Sequence, residues 1–227
     1  MDEINILTID TSSNDLKIGL SIDGKDAYSI LDKNTTQIEA LIPNIQKCLD
    51  RIKKDKKDLH YVAVCVGPGS FTGIRIGVSA ATAVAYARNI KCFGFSVFDI
   101  YKYMFKDLND KVIIPLIDAK KDRYYCSFIE VDKPIEMFDI GINDIVRKIK
   151  EHYLDRKIVF VGKDVQYIAE ELEKHIDFEV RYENGYGPLD ILSYTMNFAY
   201  NNSEFLPPKP IYLRKSEAEI ALLNNQL

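Results

Sequence analysis

The sequence predicts an α/β fold that is duplicated: three strands, a helix, a strand and a helix, met twice along the chain. Three observations carry this expectation. Short runs rich in Ile, Val, Leu and Tyr are bounded by Gly, Asn, Asp and Ser turns, as strands are. Longer runs repeat apolar residues three and four apart, as helices with one buried face do. The two kinds of segment recur in the same order. At 227 residues and 47% hydrophobic content, the chain has the composition of a globular protein and length for one large domain or two small ones.

In the first round, Ile4 to Asp10, Leu16 to Ile22 and Ala27 to Leu31 form an expected antiparallel meander. Ser12-Ser13-Asn14-Asp15 and Asp23-Gly24-Lys25 supply its turns. Thr36 to Arg51 follows as a helix, with Ile38, Leu41, Ile42, Ile45 and Leu49 on one side. Thr35 or Thr36 is placed to cap it, with Glu39 reaching back. Pro43 inside it implies a kink or a late start. A strand from Tyr61 to Val66, a helix reaching about Arg88 and a strand from Lys91 to Phe95 complete the round.

The second round reads Val112 to Asp118, Arg123 to Val131 and Ile135 to Ile140 as strands. A helix from Asn143 to His152, a strand from Lys157 to Val161, a helix from Val165 to His175 and a strand from Phe178 to Tyr182 follow. Leu189 to Tyr200 is a last helix. The polar stretch Lys106 to Asp110 marks the boundary, giving lobes 1–105 and 106–210. Pro207-Pro208-Lys209-Pro210 is extended, and the tail 211–227 is expected to pack back on either lobe.

Between the fourth strand and its helix stands Val66-Gly67-Pro68-Gly69-Ser70-Phe71-Thr72-Gly73-Ile74-Arg75-Ile76-Gly77. A glycine turn opening a helix is a common anion site. The spacing fits neither familiar phosphate loop: no Lys follows Gly73, and Gly67, Gly69 and Gly73 leave one residue too many for the dinucleotide fingerprint. Gly73, Gly77, Ala81 and Ala85 recur every fourth residue and form one stripe of small side chains. Glycine costs a helix about 1 kcal/mol relative to alanine, so the stripe implies close approach of another backbone. That backbone belongs either to the protein's own sheet or to a crossing helix in this chain or a partner.

Ile6-Leu7-Thr8-Ile9-Asp10-Thr11-Ser12-Ser13, the Gly-Pro-Gly-Ser-Phe-Thr-Gly-Ile-Arg-Ile-Gly run, Ile117-Asp118-Ala119-Lys120-Lys121 and Pro210-Ile211-Tyr212-Leu213-Arg214 stand in that order. In them the chain resembles the TsaB (YeaZ) family of bacterial proteins, which help make threonylcarbamoyladenosine in tRNA. The duplicated pattern and the resemblance both imply the two-lobed actin-like ATPase architecture (ASKHA, ribonuclease H-like). The resemblance further implies a non-catalytic scaffold that pairs with the catalytic subunit TsaD, with the ATPase TsaE joining them and tRNA reached through the complex. The partner surface is expected on Gly73, Gly77, Ala81 and Ala85 with Leu41 and Ile45 of the preceding helix. Such a surface also supports a homodimer. The family's His-Ser-Glu before its first helix stands here as Gln37-Ile38-Glu39.

In active members of this architecture, a turn like Asp10-Thr11-Ser12 faces the nucleotide phosphates. Asp118 begins a comparable turn in the second round, and two such carboxylates suit a phosphate–magnesium group. The plainer reading is turn chemistry, because Asp, Thr and Ser bond nearby backbone. No Gly-Gly adenosine motif precedes the last helix, so no cofactor is expected, with ATP bound weakly or only in the complex. The metal-binding histidine pair of the catalytic relative aligns with Val97 and Tyr101, which implies that no metal site is kept. Ser70 lacks the Gly-x-Ser-x-Gly spacing of a nucleophile elbow and suits a helix cap, against a peptidase. An independent ATPase or kinase using Asp10 and Asp118 is the remaining enzyme reading.

A net charge of −4 gives no overall attraction to nucleic acid. Lys120, Lys121 and Arg123 form the small basic cluster where a nucleotide or tRNA contact is first expected; Arg51, Lys53, Lys54, Lys56 and Lys57 are interrupted by Asp55 and read as a solvated loop. Cys48, Cys65, Cys92 and Cys126 lack Cys-x-x-Cys spacing and are expected as free thiols. With no signal-like start and no membrane-length apolar run, the expected location is the cytoplasm.

Overall fold

The structure is a computed structural model that describes residues 4–31, 36–163, 165, 172, 180–183 and 185–214. The chain forms two compact units. Met1–Ile100 with Tyr186–Ile211 make the first, and Tyr101–Gly185 with Tyr212–Leu227 the second.

The first unit is a five-stranded sheet in the order β3-β2-β1-β4-β5. Its strands are β1 (Ile6–Asp10), β2 (Leu16–Ile22), β3 (Lys25–Leu31), β4 (Tyr61–Cys65) and β5 (Lys91–Phe95). β1, β2 and β3 pair antiparallel, and β1, β4 and β5 pair parallel. Every residue of β1 is buried, because helices cover both faces of the sheet. Leu7 and Ile9 point to one face and join Ile18, Leu20 and the inward residues of α1 (Gln37–Ile52) and α2 (Phe71–Arg88). On the other face, Thr8 lies opposite Gly19, and the bare Gly19 backbone admits Leu192 of α5 (Pro188–Asn201). After α5 the chain crosses β4 and β5 in extended form: Phe205 stacks on Phe93, Pro208 abuts Gly94, and the Ile211 N–H donates to the Val66 carbonyl at 2.8 Å.

The second unit repeats the topology around β6. Its strands are β6 (Lys111–Asp118), β7 (Arg123–Cys126), β8 (Phe138–Gly141), β9 (Lys157–Val161) and β10 (Val180–Glu183), in the order β10-β9-β6-β7-β8. β7 and β8 pair antiparallel, and β9 and β10 parallel, as in the first sheet. Ile145, Val146 and Ile149 of α4 (Ile142–His152) close its core over Val112, Ile114, Ile158 and Phe160. The chain passes between the units within α3 (Val97–Met104).

The duplicated α/β order is thus present, with several differences. The units do not divide the chain as 1–105, 106–210 and a tail: α5 packs on β1 and β2 and so returns to the first unit. α1 buries Leu41, Ile45 and Leu49 but leaves Ile38 and Ile42 66% and 57% exposed. It starts at Gln37 with Pro43 inside, and the Thr36 hydroxyl bonds the Glu39 carboxylate instead of a backbone N–H. β7 ends at Cys126, after which one bridge, Ile113 to Ile129, continues the pairing. The expected helix 165–175, apart from 165 and 172, and the tail from 216 onward lie outside the described residues.

Candidate functional site

β1 ends at Asp10, and Thr11 and Ser12 carry the chain toward β2. All three are buried, Asp10 and Thr11 completely. The segment that starts α2 holds this turn. The Ser70 N–H donates to the Ser12 carbonyl at 2.6 Å, and the Thr11 hydroxyl donates to the Gly73 carbonyl at 2.7 Å. A Cβ on Gly69 would strike the Ser12 carbonyl oxygen, one on Gly73 the Thr11 carbonyl oxygen, and one on Gly77 the Thr11 hydroxyl. These glycines are a packing requirement of the chain's own aspartate turn. Ser70 caps α2, its hydroxyl accepting from the Gly73 N–H at 3.2 Å. Two donors of the glycine turn, Ser70 N–H and Gly73 N–H, are therefore already engaged.

The Asp10 carboxylate accepts four hydrogen bonds inside the first unit. Oδ1 takes the Ser12 N–H at 2.9 Å and the Ser12 hydroxyl at 2.6 Å. Oδ2 takes the Lys17 ammonium at 3.3 Å and the Tyr186 hydroxyl at 2.8 Å. Burial alone pushes this carboxyl up; the Lys17 charge and the bonds from Ser12 and Tyr186 outweigh it and hold the group below the usual carboxylate range. The Lys17 ammonium also lies 4.7 Å from the centre of the Tyr186 ring. A carboxylate has about four lone-pair sites, so this one is filled by its own chain. A magnesium ion would have to displace one of these donors and compete with an ammonium, so the group as folded does not fit a magnesium–nucleotide.

Sequence reasoning does not reach Lys17 or Tyr186. Lys17 has a signal in the strand register, where it stands directly opposite Asp10 on β2. Tyr186 arrives from the segment before α5 and leaves no local signal.

Asp118 belongs to the second unit, at the end of β6, as Asp10 is at the end of β1. It is exposed and takes the Lys120 N–H at 2.7 Å and the Lys120 ammonium at 2.6 Å. Partial burial raises its carboxyl, and the Lys120 bonds more than offset this, so the group is lowered. Lys120, Lys121 and Asp122 all have φ in the left-handed region. Arg123 and Arg214 grip Asp139 from two sides, Nε to Oδ1 at 2.8 Å and Nε to Oδ2 at 3.1 Å. Arg214 Nη1 also donates to the Ala119 carbonyl at 3.1 Å. The arginine of the Pro210–Arg214 motif thus anchors the Asp118 turn, and Arg123 is committed to Asp139.

The residues expected at a partner surface are buried within their own unit. Gly73, Gly77, Ala81 and Ala85 form the buried side of α2, and Leu41 and Ile45 the buried side of α1, all within the first unit. Periodicity identifies the face but not what covers it. The outward side of α2 exposes Thr72, Arg75, Ser79, Thr82 and Tyr86, the last 89% exposed, and α1 exposes Ile38 and Ile42. α2 contains no acidic residue, and α1 and α2 touch each other.

Val97 and Tyr101 lie one turn apart on α3, both buried. Among the described residues no three His, Cys, Asp or Glu side chains are grouped to hold a metal. All four cysteines are free. Burial pushes the Cys126 thiol up to about 12 and Cys92 up to about 11, which keeps both protonated and unreactive at neutral pH. In the basic loop, Lys54 pairs with Asp23 and Arg51 with the Tyr28 carbonyl.

Residues 34–222 match the family model described as tRNA N6-adenosine threonylcarbamoyltransferase (TsaD). The tRNA threonylcarbamoyladenosine biosynthesis protein TsaB of Buchnera aphidicola subsp. Schizaphis graminum is 31% identical over 176 residues, 73% of this chain and 81% of that one. YeaZ from Pseudomonas aeruginosa has the same fold, with a TM-score of 0.73 at 18% identity over 93% of this chain and all of that one. A Bacteroides thetaiotaomicron protein with an actin-like ATPase fold follows at a TM-score of 0.50 and 11% identity, over 85% of this chain and 95% of that one. Two repeated sheets, an aspartate turn locked into a glycine turn, and relatives of this name leave one assignment: the chain belongs to the TsaB (YeaZ) family of tRNA threonylcarbamoyladenosine biosynthesis proteins, on an actin-like α/β fold.

Proposed function

We propose that this chain is the non-catalytic scaffold of tRNA threonylcarbamoyladenosine synthesis, pairing with a TsaD catalytic subunit that the ATPase TsaE joins. The observation that carries the non-catalytic half is the Asp10 carboxylate, whose acceptor sites are filled by Ser12, Lys17 and Tyr186. Magnesium–nucleotide binding at the Asp10 turn by the chain alone is therefore weak or absent, and this turn brings no metal to the complex. The pairing half is supported by the outward side of α2 with Ile38 and Ile42 of α1: small and aromatic side chains around one exposed cation, Arg75, with no acidic residue on α2. Burying such a face removes apolar area from water and suits a partner that offers Arg75 a carboxylate. The same face pairs with its own copy when the catalytic subunit is absent. Among the described residues no helix is long and apolar enough to cross a membrane; it is the proposed work on tRNA that assigns the chain to the cytoplasm.

The test is the mass of the complex formed with a TsaD subunit, measured by light scattering, beside ATP turnover by the chain alone. A stable complex without turnover is expected. Turnover by the chain alone that Asp10→Ala abolishes would make it an independent ATPase instead.

A further inference from the structure

The second unit holds a cleft lined by none of the residues on which the proposed scaffold role rests. It is about 500 Å³ and opens between the segment after β7, the start of β8 and the last turn of α4. That size lies within the roughly 300–1,000 Å³ of small-molecule sites. Its wall is aromatic. The Phe128 and Tyr153 rings are parallel, with centroids 5.4 Å apart, and Phe138 meets Phe128 edge-on at 6.0 Å. All three rings are half-buried.

The charges are unevenly committed. Glu130 is buried and neutralised from both sides, by Lys133 at 2.7 Å and Arg156 at 2.9 Å. The Lys148 ammonium instead lies over the Phe138 ring, 4.5 Å from its centre. Among the described residues it pairs with no carboxylate. A cation held on an aromatic ring with no anion beside it retains its full charge for a ligand.

We propose that this cleft binds a nucleotide, its base against the Phe128–Tyr153 wall and its phosphate on Lys148. Stacking on aromatic side chains next to a lysine is how proteins hold unpaired bases, because every base has a π-face and every nucleotide an anion. Glu136 on the rim leaves the cleft near neutral overall, so one phosphate is favoured over three. The inference uses residues of the second unit alone and stands or falls apart from pairing with a catalytic subunit.

The experiment is amide-detected NMR titration of the full chain with adenosine monophosphate, adenosine, inorganic phosphate and a five-nucleotide single-stranded RNA. Adenosine monophosphate is expected to shift amides around 128, 138 and 148–153 and to bind about tenfold more tightly than adenosine or phosphate. Lys148→Ala, a change at the cleft edge, should remove that advantage and leave adenosine unchanged. Phe128→Leu should weaken adenosine and its monophosphate together. Tighter binding of the RNA assigns the site to a strand, and tighter binding of the monophosphate to a free nucleotide; either upholds the stacked base and paired phosphate. No saturable shift in the cleft with either probe overturns the proposal. So does phosphate alone binding as well as the monophosphate, or monophosphate affinity that Lys148→Ala leaves intact.

Discussion

The Tyr186 hydroxyl donates to Asp10 Oδ2 at 2.8 Å, joining residues 176 apart in sequence inside the first unit. The bond fixes the segment before α5 to the end of the central strand, and it completes the set of donors around a carboxylate with no exposure to water. α5 returns to the first sheet just behind this contact. It begins at Pro188, with the Gly187 N–H donating to Asp190 at 2.7 Å.

Tyr186→Phe tests this contact. It removes one donor from a buried charge, and the expected loss is about 1–3 kcal/mol of unfolding free energy at pH 7. The pH dependence has a defined sign. Asp10 is depressed in the folded state, so its contribution is fully present above the unfolded value of roughly 4 and disappears as pH falls through the folded value. The variant has a smaller depression, so its deficit should be widest at neutral pH and narrow toward acid. Urea unfolding at pH 7 and at a pH well below about 4, where the folded carboxyl takes up its proton, measures this. An equal deficit at both would mean that the phenol acts by packing and not through the carboxylate.

Gly77 faces Thr11 and Val64 of its own unit, which fixes the sign of a substitution there. Helix propensity favours Gly77→Ala by about 1 kcal/mol. The added methyl would meet the Thr11 hydroxyl, and overpacking of this kind typically costs about 1–3 kcal/mol. Net destabilisation is expected. Thr11→Ala in the same chain should recover part of it, since it removes the atom in the way. Gly73→Ala should not be rescued, because its obstacle is the Thr11 backbone carbonyl. Melting temperatures of these single and double variants decide this, and additive effects of Gly77→Ala and Thr11→Ala would refute the contact.

These two contacts mark what the sequence discloses. Strands β1, β2 and β4 are legible because their apolar runs are bounded by turn residues, and the Ser70 cap because a serine precedes the first helical residue by one. α3 escapes a reading by periodicity although Ser96 and Asp99 cap it reciprocally, the Ser96 N–H to Asp99 at 2.7 Å and the Asp99 N–H to Ser96 at 3.0 Å. Eight residues are too few for a periodic signal, and only the capping pattern could find them. The small-residue stripe shows that something comes close to α2. Its identity, the Thr11 turn, depends on pairing across the sheet. Tyr186 near Asp10 and Arg214 near Asp139 are long-range meetings set by the return of the chain, which local pattern does not encode.

The outward side of the first two helices yields the last prediction. Ile42 is 57% and Tyr86 89% exposed, so neither supports the core of the first unit. Ile42→Asp and Tyr86→Asp should therefore change stability within about 0.5 kcal/mol, as exposed substitutions do. Each puts a charge where a partner would bury apolar area, and a buried unpaired charge is costly. Assembly should fall steeply while melting stays unchanged, the reverse of the Gly77 variants. This opposition separates the two sides of α2. Light scattering of each variant, alone and mixed with the catalytic subunit, against its melting curve gives the comparison. If both aspartate variants assemble as the parent does, the partner surface lies elsewhere on the chain. If they also lose stability, these side chains carry packing that their exposure does not reveal. Loss of self-association together with loss of the mixed complex would place both partners on this one face, so that the homodimer and the working complex exclude each other.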